Sequence, residues 1–284
     1  MSIKRIPICE FSVKSSEPVI VEKFGDSIAA FPDLINALSL TSLIAMESTD
    51  TVGFARGSKV DEIGLIDALK QLQNGSDGYI NGWEYMAGDV GSITLGSLVS
   101  SIEEIFFCEN FLTSLNIPSA SLLDSVMKWI FISQGPGSFS DWHTDPIGSA
   151  AWMLMVHGEK LWFVEDKQGI IRPGDLIVIP PGIEHRVENI GDQYNVAISH
   201  NWVPKSNSNL MWIELVNGLE KLDSFISSSS RTLSEFHETE SVDNLLFGLM
   251  MVILHAHPKE REKMLTFIPD RSRRDRIEKF LEKI

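Results

Sequence analysis

A run of short strand-like segments between residues 126 and 204 constrains the fold of this chain more than any other feature. Turns containing Gly and Pro, such as Gln134-Gly-Pro-Gly137 and Arg172-Pro-Gly-Asp175, separate the segments. Strands are predicted at residues 128–133, 150–157, 160–165, 175–179 and 195–203. Many short strands with close turns are typical of a β-sandwich or barrel. We therefore predict a mainly β domain with surrounding helices.

The sequence changes character on both sides of this run. Residues 1–125 mix strand candidates at 5–9 and 18–21 with a helical pattern at 63–72. Beyond residue 204, helices are predicted from residue 213 to 222, from 242 to 254 and after Asp270, with a serine linker at 227–230. We predict one domain over residues 1–205, with its core barrel at about 126–204. A C-terminal helical extension over 206–284 could pack on the barrel or form a homodimer.

Composition narrows the classes of partner. The formal net charge is −15, which argues against wrapping nucleic acid and suits a basic protein or peptide. No apolar run reaches the length of a membrane span, so no membrane partner is expected, and no signal peptide is expected either. Two cysteines, Cys9 and Cys108, are too few for a disulfide framework. We expect an intracellular protein of the nucleus or cytoplasm.

The pair His143-Thr-Asp145 is a candidate metal site. On a strand, residues i and i+2 point to the same side, so both side chains can reach one ion. Two histidines and one carboxylate leave three coordination positions open, as a non-haem Fe(II) oxygenase requires for its cosubstrate and O₂. A lone His-x-Asp pair is a weak signal that needs a second, distant histidine.

Three histidines could supply that distant ligand: His157, His185 and His200. His157 lies in a predicted turn and is interpreted as structural. His200 shares its strand face with apolar residues, so it is expected to point outward or to be wedged in packing. His185 follows a Pro-Gly loop at a strand start, where a double-stranded β-helix places its last ligand. We therefore predict His143, Asp145 and His185 as the iron ligands.

Lys160 is the candidate anchor for an anionic cosubstrate. It interrupts the otherwise apolar strand Gly158-Glu-Lys-Leu-Trp-Phe163, and a buried ammonium is costly unless an anion meets it. Strand alternation groups Lys160 with Trp162. If that face is internal, the partner would be the distal carboxylate of 2-oxoglutarate. A surface lysine in a hairpin is the alternative.

Two segments resemble the Jumonji-C domain, and above all its protein lysyl-hydroxylase branch. They are His143-Thr-Asp-Pro-Ile-Gly-Ser-Ala-Ala-Trp152 and Val156-His-Gly-Glu-Lys-Leu-Trp162. In that branch a His-x-Asp-Pro-Leu-Gly-Thr-Ser-Ala-Trp run precedes a Gly-x-Lys-x-Trp strand. Ala197-Ile-Ser-His-Asn-Trp202 is similar to the segment that follows the metal ligands. The resemblance covers residues 127–212 and implies a double-stranded β-helix of the cupin or jelly-roll type.

The resemblance also implies roles for single residues. His143, Asp145 and His185 would bind Fe(II), and Lys160 would hold the C5 carboxylate of 2-oxoglutarate. Ser140 falls where the family usually has a threonine that contacts this carboxylate. The branch places inward polar groups near the cosubstrate and iron at the positions of Ser199 and Asn201. Met153 is a departure, because relatives carry a polar Asn or Tyr there.

Several alternatives stay open at this point. Hydroxylation of a protein lysine or arginine is the expected reaction, and demethylation of a methylated side chain uses the same chemistry. A catalytically retired, cupin-like binding module is the rival from another class. Structural zinc sites prefer four ligands rich in cysteine, and a serine hydrolase would need a Gly-x-Ser-x-Gly turn that this sequence lacks. The tryptophans at 142, 152, 162 and 202 are expected in the core or along a substrate groove.

Overall fold

The computed structural model describes residues 1–12, 16–57, 59–85, 127–137 and 139–229, together with 259, 262, 265, 266 and 270–281. The helix predicted at 242–254, and Cys108, lie outside these residues. Within them, no helix has both the length and the apolar composition needed to cross a membrane.

Thirteen strands and five α-helices form within the described residues. The strands are β1 (Lys4–Pro7), β2 (Val19–Glu22), β3 (Thr51–Arg56), β4 (Lys59–Gly64), β5 (Gly78–Trp83), β6 (Lys128–Gln134), β7 (Phe139–His143), β8 (Ala150–His157), β9 (Glu159–Val164), β10 (Lys167–Ile171), β11 (Leu176–Ile179), β12 (His185–Ile190) and β13 (Asn195–Trp202). The helices are α1 (Phe31–Ala37), α2 (Leu40–Ile44), α3 (Leu65–Gln73), α4 (Ser208–Ser229) and α5 (Arg271–Leu281).

The strands form two sheets. The large sheet has the order β1-β2-β11-β8-β13-β6-β5-β3-β4, and the small sheet has the order β10-β9-β12-β7. Adjacent strands are antiparallel throughout, except for the parallel pair β1 and β2. From β6 to β13 the chain crosses repeatedly between the two sheets, as in a jelly roll. The predicted double-stranded β-helix fold is confirmed.

Two apolar clusters lie on opposite faces of the large sheet. The alternation along β8 separates them: Trp152 and Leu154 pack with residues of α1, α2 and α3, whereas Met153 and Met155 pack with residues of the small sheet. The second cluster fills the space between the sheets and includes Trp162. Side chains that alternate with the outer cluster therefore point into the barrel.

The described residues belong to two compact units. The first contains residues 1–85, 127–145 and 150–202, and the second contains 146–149 and the residues after 202. In the second unit, α4 buries Met211, Trp212 and Leu215. The predicted serine linker at 227–230 is wrong over its described part, because α4 continues to Ser229. A serine costs an established helix only a few tenths of a kcal/mol, roughly, relative to alanine.

Candidate metal centre

The structure brings together His143, Asp145 and His185. His143 ends β7, Asp145 follows two residues later, and His185 begins β12. One ligand atom from each residue lies within 4.8 Å of the others. His143 and His185 are directly opposed in neighbouring strands, so their side chains share a sheet face, and their ring centroids are 4.3 Å apart.

Backbone carbonyls orient both imidazoles. Nδ1 of His143 lies 2.7 Å from the carbonyl oxygen of Asp141, and Nδ1 of His185 lies 3.0 Å from that of Ile183. A carbonyl oxygen only accepts hydrogen bonds, so each Nδ1 is the donor. Each Nε2 therefore keeps its lone pair for a metal, an arrangement common among histidine ligands in proteins.

The electrostatic surroundings also suit a metal ligand. Burial lowers the pKa of His185, and the carboxylate of Asp145, 4.0 Å from Nε2, opposes this shift without reversing it. The imidazole is therefore neutral at neutral pH, the form that binds metals. Asp145 in turn accepts a hydrogen bond of 2.7 Å from the side-chain amide of Asn201.

Solvent reaches the three side chains unequally. The side chain of His185 is 3% exposed and that of Asp145 is 10% exposed, whereas His143 is an exposed residue. The neighbouring Thr144 is exposed as well. A large substrate would therefore approach this cluster from the side of His143.

Lys160 lies in the barrel interior and is 1% exposed. Its ammonium donates a hydrogen bond of 2.5 Å to Oδ1 of Asn189 and lies 5.4 Å from the ring centroid of Tyr79. Among the described residues, no carboxylate forms an ion pair with it. Burial lowers the pKa of Lys160 to about 7. An anion entering the barrel would supply the charge partner that this amine lacks.

Trp162 links the surroundings of Lys160 to the histidines. It lies two residues after Lys160 on β9, so both side chains point to the same face. Its ring stacks on His185 with a centroid distance of 5.4 Å. Lys160 and the candidate metal ligand His185 are therefore parts of one interior surface.

The remaining predicted site residues have distinct surroundings. Asn201 contacts Asp145 as described above. Ser199 is buried and donates a hydrogen bond of 2.8 Å to the carbonyl of Trp152, while Oγ of Ser140 accepts one of 3.2 Å from the backbone of Val187. Met153 is opposed to Ser199 across β8 and β13 and packs in the inner apolar cluster. The cosubstrate roles of Ser140 and Ser199 stay predictions.

Sequence reasoning missed two buried polar residues: Asn189, which contacts Lys160, and Ser133, which is opposed to Tyr79. Asn189 lies on β12 at an even spacing from His185, so strand alternation from the ligand could have identified it. Ser133 is opposed to Tyr79, and its hydroxyl is buried without a hydrogen-bond partner among the described residues. Its position depends on pairing between β5 and β6, which no local motif reveals.

The two other histidines considered as ligands, His157 and His200, lie outside the cluster. Nε2 of His157 is 3.0 Å from the carbonyl of Ile35. His200 is buried, and its ring meets that of Trp152 edge to face at 6.1 Å. His200 is therefore wedged in packing rather than turned outward. Of the four tryptophans considered for a substrate groove, Trp142 is 45% exposed and the other three are buried.

Comparison with known proteins gives consistent matches. A family model described as "Cupin domain" matches residues 131–201. The "2-oxoglutarate and iron-dependent oxygenase JMJD4" of Mus musculus is 23% identical over 210 residues, which cover 56% of this chain and 49% of that protein. The "Bifunctional arginine demethylase and lysyl-hydroxylase psr-1" of Caenorhabditis elegans is 24% identical over 127 residues, 28% of this chain and 30% of that protein.

The predicted similarity to the Jumonji-C oxygenases is confirmed. The chain spans about half the length of the mouse Jumonji-C relative that it matches. Among solved structures, the "Schizosaccharomyces pombe Cnp3 Cupin Domain" matches with a TM-score of 0.26 and 11% identity, over 29% of this chain and 58% of that chain. That similarity is too low to carry an argument. The match to the Cupin domain, residues 131–201, includes all three residues of the cluster.

Proposed function

We propose that this chain is an Fe(II)- and 2-oxoglutarate-dependent dioxygenase that hydroxylates a protein side chain, lysine or arginine. The observation that carries the proposal is the cluster of His143, Asp145 and His185 beside a buried lysine without an acidic partner among the described residues. The name of the mouse relative, which includes both 2-oxoglutarate and iron, supports the same pair of cofactors.

The donor set fits iron. Two neutral imidazoles and one carboxylate form the facial set typical of non-haem Fe(II) oxygenases, whereas structural zinc sites prefer four ligands rich in sulfur. His143, Asp145 and His185 would hold the metal, and Lys160 would hold the distal carboxylate of 2-oxoglutarate. When bound, the iron and its cosubstrate supply the oxidising power needed to attack a C–H bond.

The chain itself contributes binding and orientation. The carbonyls of Asp141 and Ile183 fix the imidazoles, and Asn201 fixes the carboxylate of Asp145. The ammonium of Lys160 would pair with the anion at the inner end of the site. The apolar cluster between the sheets excludes water from this interior, which strengthens such charge pairs.

The substrate class follows from charge and exposure. Asp141 and Glu184 are exposed, and each lies within two residues of a histidine ligand. With a net charge of −15, these carboxylates favour encounter with a basic protein or peptide. Demethylation is the second candidate, because the psr-1 relative carries both activities in its name.

The test is turnover of 2-oxoglutarate to succinate with iron and ascorbate, followed by intact-mass analysis of candidate basic proteins. Hydroxylation adds one oxygen to the substrate, whereas demethylation removes a methyl group and releases formaldehyde. Formaldehyde that depends on His185 and on a methylated substrate would replace the hydroxylase proposal by demethylation. Absence of turnover with every substrate, despite bound metal, would favour a retired binding module.

A further inference from the structure

Three side chains form a row across the outer face of the small sheet. The guanidinium carbon of Arg186 lies 4.6 Å from the ring centroid of Phe163 and 6.0 Å from that of Trp142. These residues belong to β12, β9 and β7, three adjacent strands of the sheet. Cation–π contact within about 6 Å is attractive, so the row ties the three strands together.

This row lies directly behind the metal centre. Trp142 immediately precedes His143 on β7, and Arg186 immediately follows His185 on β12. Successive side chains of a strand point to opposite faces, so the two ligands project inward while their neighbours project outward. A displacement of Trp142 relative to Arg186 would therefore displace His143 relative to His185.

His143 needs such support because its strand is weakly held. β7 is the edge of the small sheet and pairs with β12 at three positions, with a register shift between His185 and Val187. Four of its five residues are exposed. On the inner side, the hydroxyl of Ser140 on β7 accepts a hydrogen bond from the backbone N–H of Val187 on β12.

Arg186 has a further contact besides the two aromatic rings. Its guanidinium forms an ion pair with Glu188 on the same strand. Nε of Arg186 is buried and has no hydrogen-bond partner among the described residues. The aromatic rings, rather than a second carboxylate, therefore hold this end of the guanidinium.

We propose that the row of Trp142, Arg186 and Phe163 positions His143 for metal binding. The inference rests on the proposed function, because it treats His143 as a metal ligand. Trp142 and Arg186 would be positioning residues, because their contact acts on His143 through the placement of β7. The row holds the exposed edge strand β7 in place, so that His143 keeps the position that a metal ligand requires.

The experiment measures Co(II) binding by calorimetry and the visible spectrum of bound Co(II), which reports the ligand set. Trp142→Ala and Arg186→Met should each weaken Co(II) binding about 10-fold, the low end of typical effects of residues around metal ligands. Both variants should alter the spectrum. Trp142→Phe, which keeps an aromatic ring against Arg186, should retain the Co(II) affinity and the Co(II) spectrum of the parent protein.

A matched control exists on the large sheet. The guanidinium of Arg56 lies 5.6 Å from the ring of Phe54 and pairs with Asp61 at 2.9 Å, so Arg56→Met removes a similar contact elsewhere. It should leave Co(II) binding unchanged. If Trp142→Ala and Arg186→Met also bind Co(II) like the parent protein, the row is structural only and the inference is wrong. If the parent protein binds no Co(II), Mn(II) or Fe(II), the metal centre itself is refuted.

Discussion

Asn201 donates a hydrogen bond of 2.7 Å to Oδ1 of Asp145. Asn201 lies on β13 of the large sheet, whereas Asp145 follows β7 of the small sheet. The bond therefore connects β13 to the segment that follows β7, at the candidate metal centre. It also occupies one carboxylate oxygen and leaves Oδ2, 4.0 Å from Nε2 of His185, on the side of the histidines.

Asn201→Ala should weaken metal binding by about 10- to 100-fold, because groups that orient a ligand typically contribute this much. Calorimetry with Mn(II) measures the change. Ser199→Ala is the matched control: it changes the same face of β13 but removes a hydrogen bond to a backbone carbonyl rather than to Asp145. Equal losses in both variants would assign the effect to β13 as a whole.

His143→Ala or Asp145→Ala should abolish turnover of 2-oxoglutarate to succinate while leaving the fold intact, because each removes one of three predicted ligands. Succinate formation and circular dichroism measure the two properties. His200→Ala should keep metal binding, although it leaves a cavity beside Trp152 and lowers stability. Full turnover in both ligand variants would refute the iron assignment.

Lys160→Met should weaken 2-oxoglutarate binding by about 1.5–3 kcal/mol, the range for hydrogen bonds to charged groups, without changing Mn(II) affinity. It should also raise the melting temperature at neutral pH, because the variant no longer buries an amine. Each 1 kcal/mol shifts Tm by about 2–4 °C in domains of about 150–250 residues. Unchanged cosubstrate affinity would place 2-oxoglutarate elsewhere in the barrel.

Lys160 should also determine how 2-oxoglutarate affinity and protein stability change with pH. Burial lowers its pKa to about 7, so 2-oxoglutarate affinity should fall as pH rises above 7 and the free protein loses this charge. Between this pKa and the ordinary value of 10.5, the unfolded chain binds a proton that the folded chain does not, so stability should rise with pH. Titration calorimetry and thermal melts in parent and Lys160→Met protein separate the two effects: both trends should be absent from the variant.

A basic peptide substrate should be turned over more slowly as salt rises, and more so than a neutral one. Raising salt from about 50 to about 500 mM shortens the range of electrostatic attraction between the exposed carboxylates and the peptide. Initial rates of substrate oxidation at low substrate concentration measure the encounter. Equal salt dependence for basic and neutral peptides would contradict the proposed class.

The apolar parts of the fold could be predicted from sequence, and the polar strands could not. The predicted segment at 150–157 has the bounds of β8, and those for β11 and β13 differ by a single terminal residue. The strand start at His185 and a strand at His143 were expected, but no bounds were predicted for β7, β10 or β12, because charged and polar residues interrupt their alternation. A strand whose outer face meets water needs few apolar residues.

Prediction of the candidate metal and cosubstrate site from sequence was likewise limited to local features. The motif around His143 and the Pro-Gly loop before His185 are local, so they could be read from the chain. Tyr79 and Asn189, the neighbours of Lys160, lie on two other strands, and their proximity depends on sheet register. Tyr79 reaches the lysine because β5 pairs with β6, and Asn189 does so because it is opposed to Lys160 across β9 and β12. The spacing from His185 places Asn189 on the inner face of β12, but it does not identify the strand that Asn189 faces.

If His143 binds a metal as proposed, the exposed position of β7 makes the order of this strand depend on metal supply. Among the described strands, β7 pairs on one side only, so its amides should exchange with solvent deuterium through small local openings. A bound ion that holds His143 would oppose such openings, by about 2.7 kcal/mol at a free concentration 100-fold above the dissociation constant. In metal-poor solution the edge strand would then loosen while the barrel stays folded. The local order of β7 would thus rise and fall with the availability of iron.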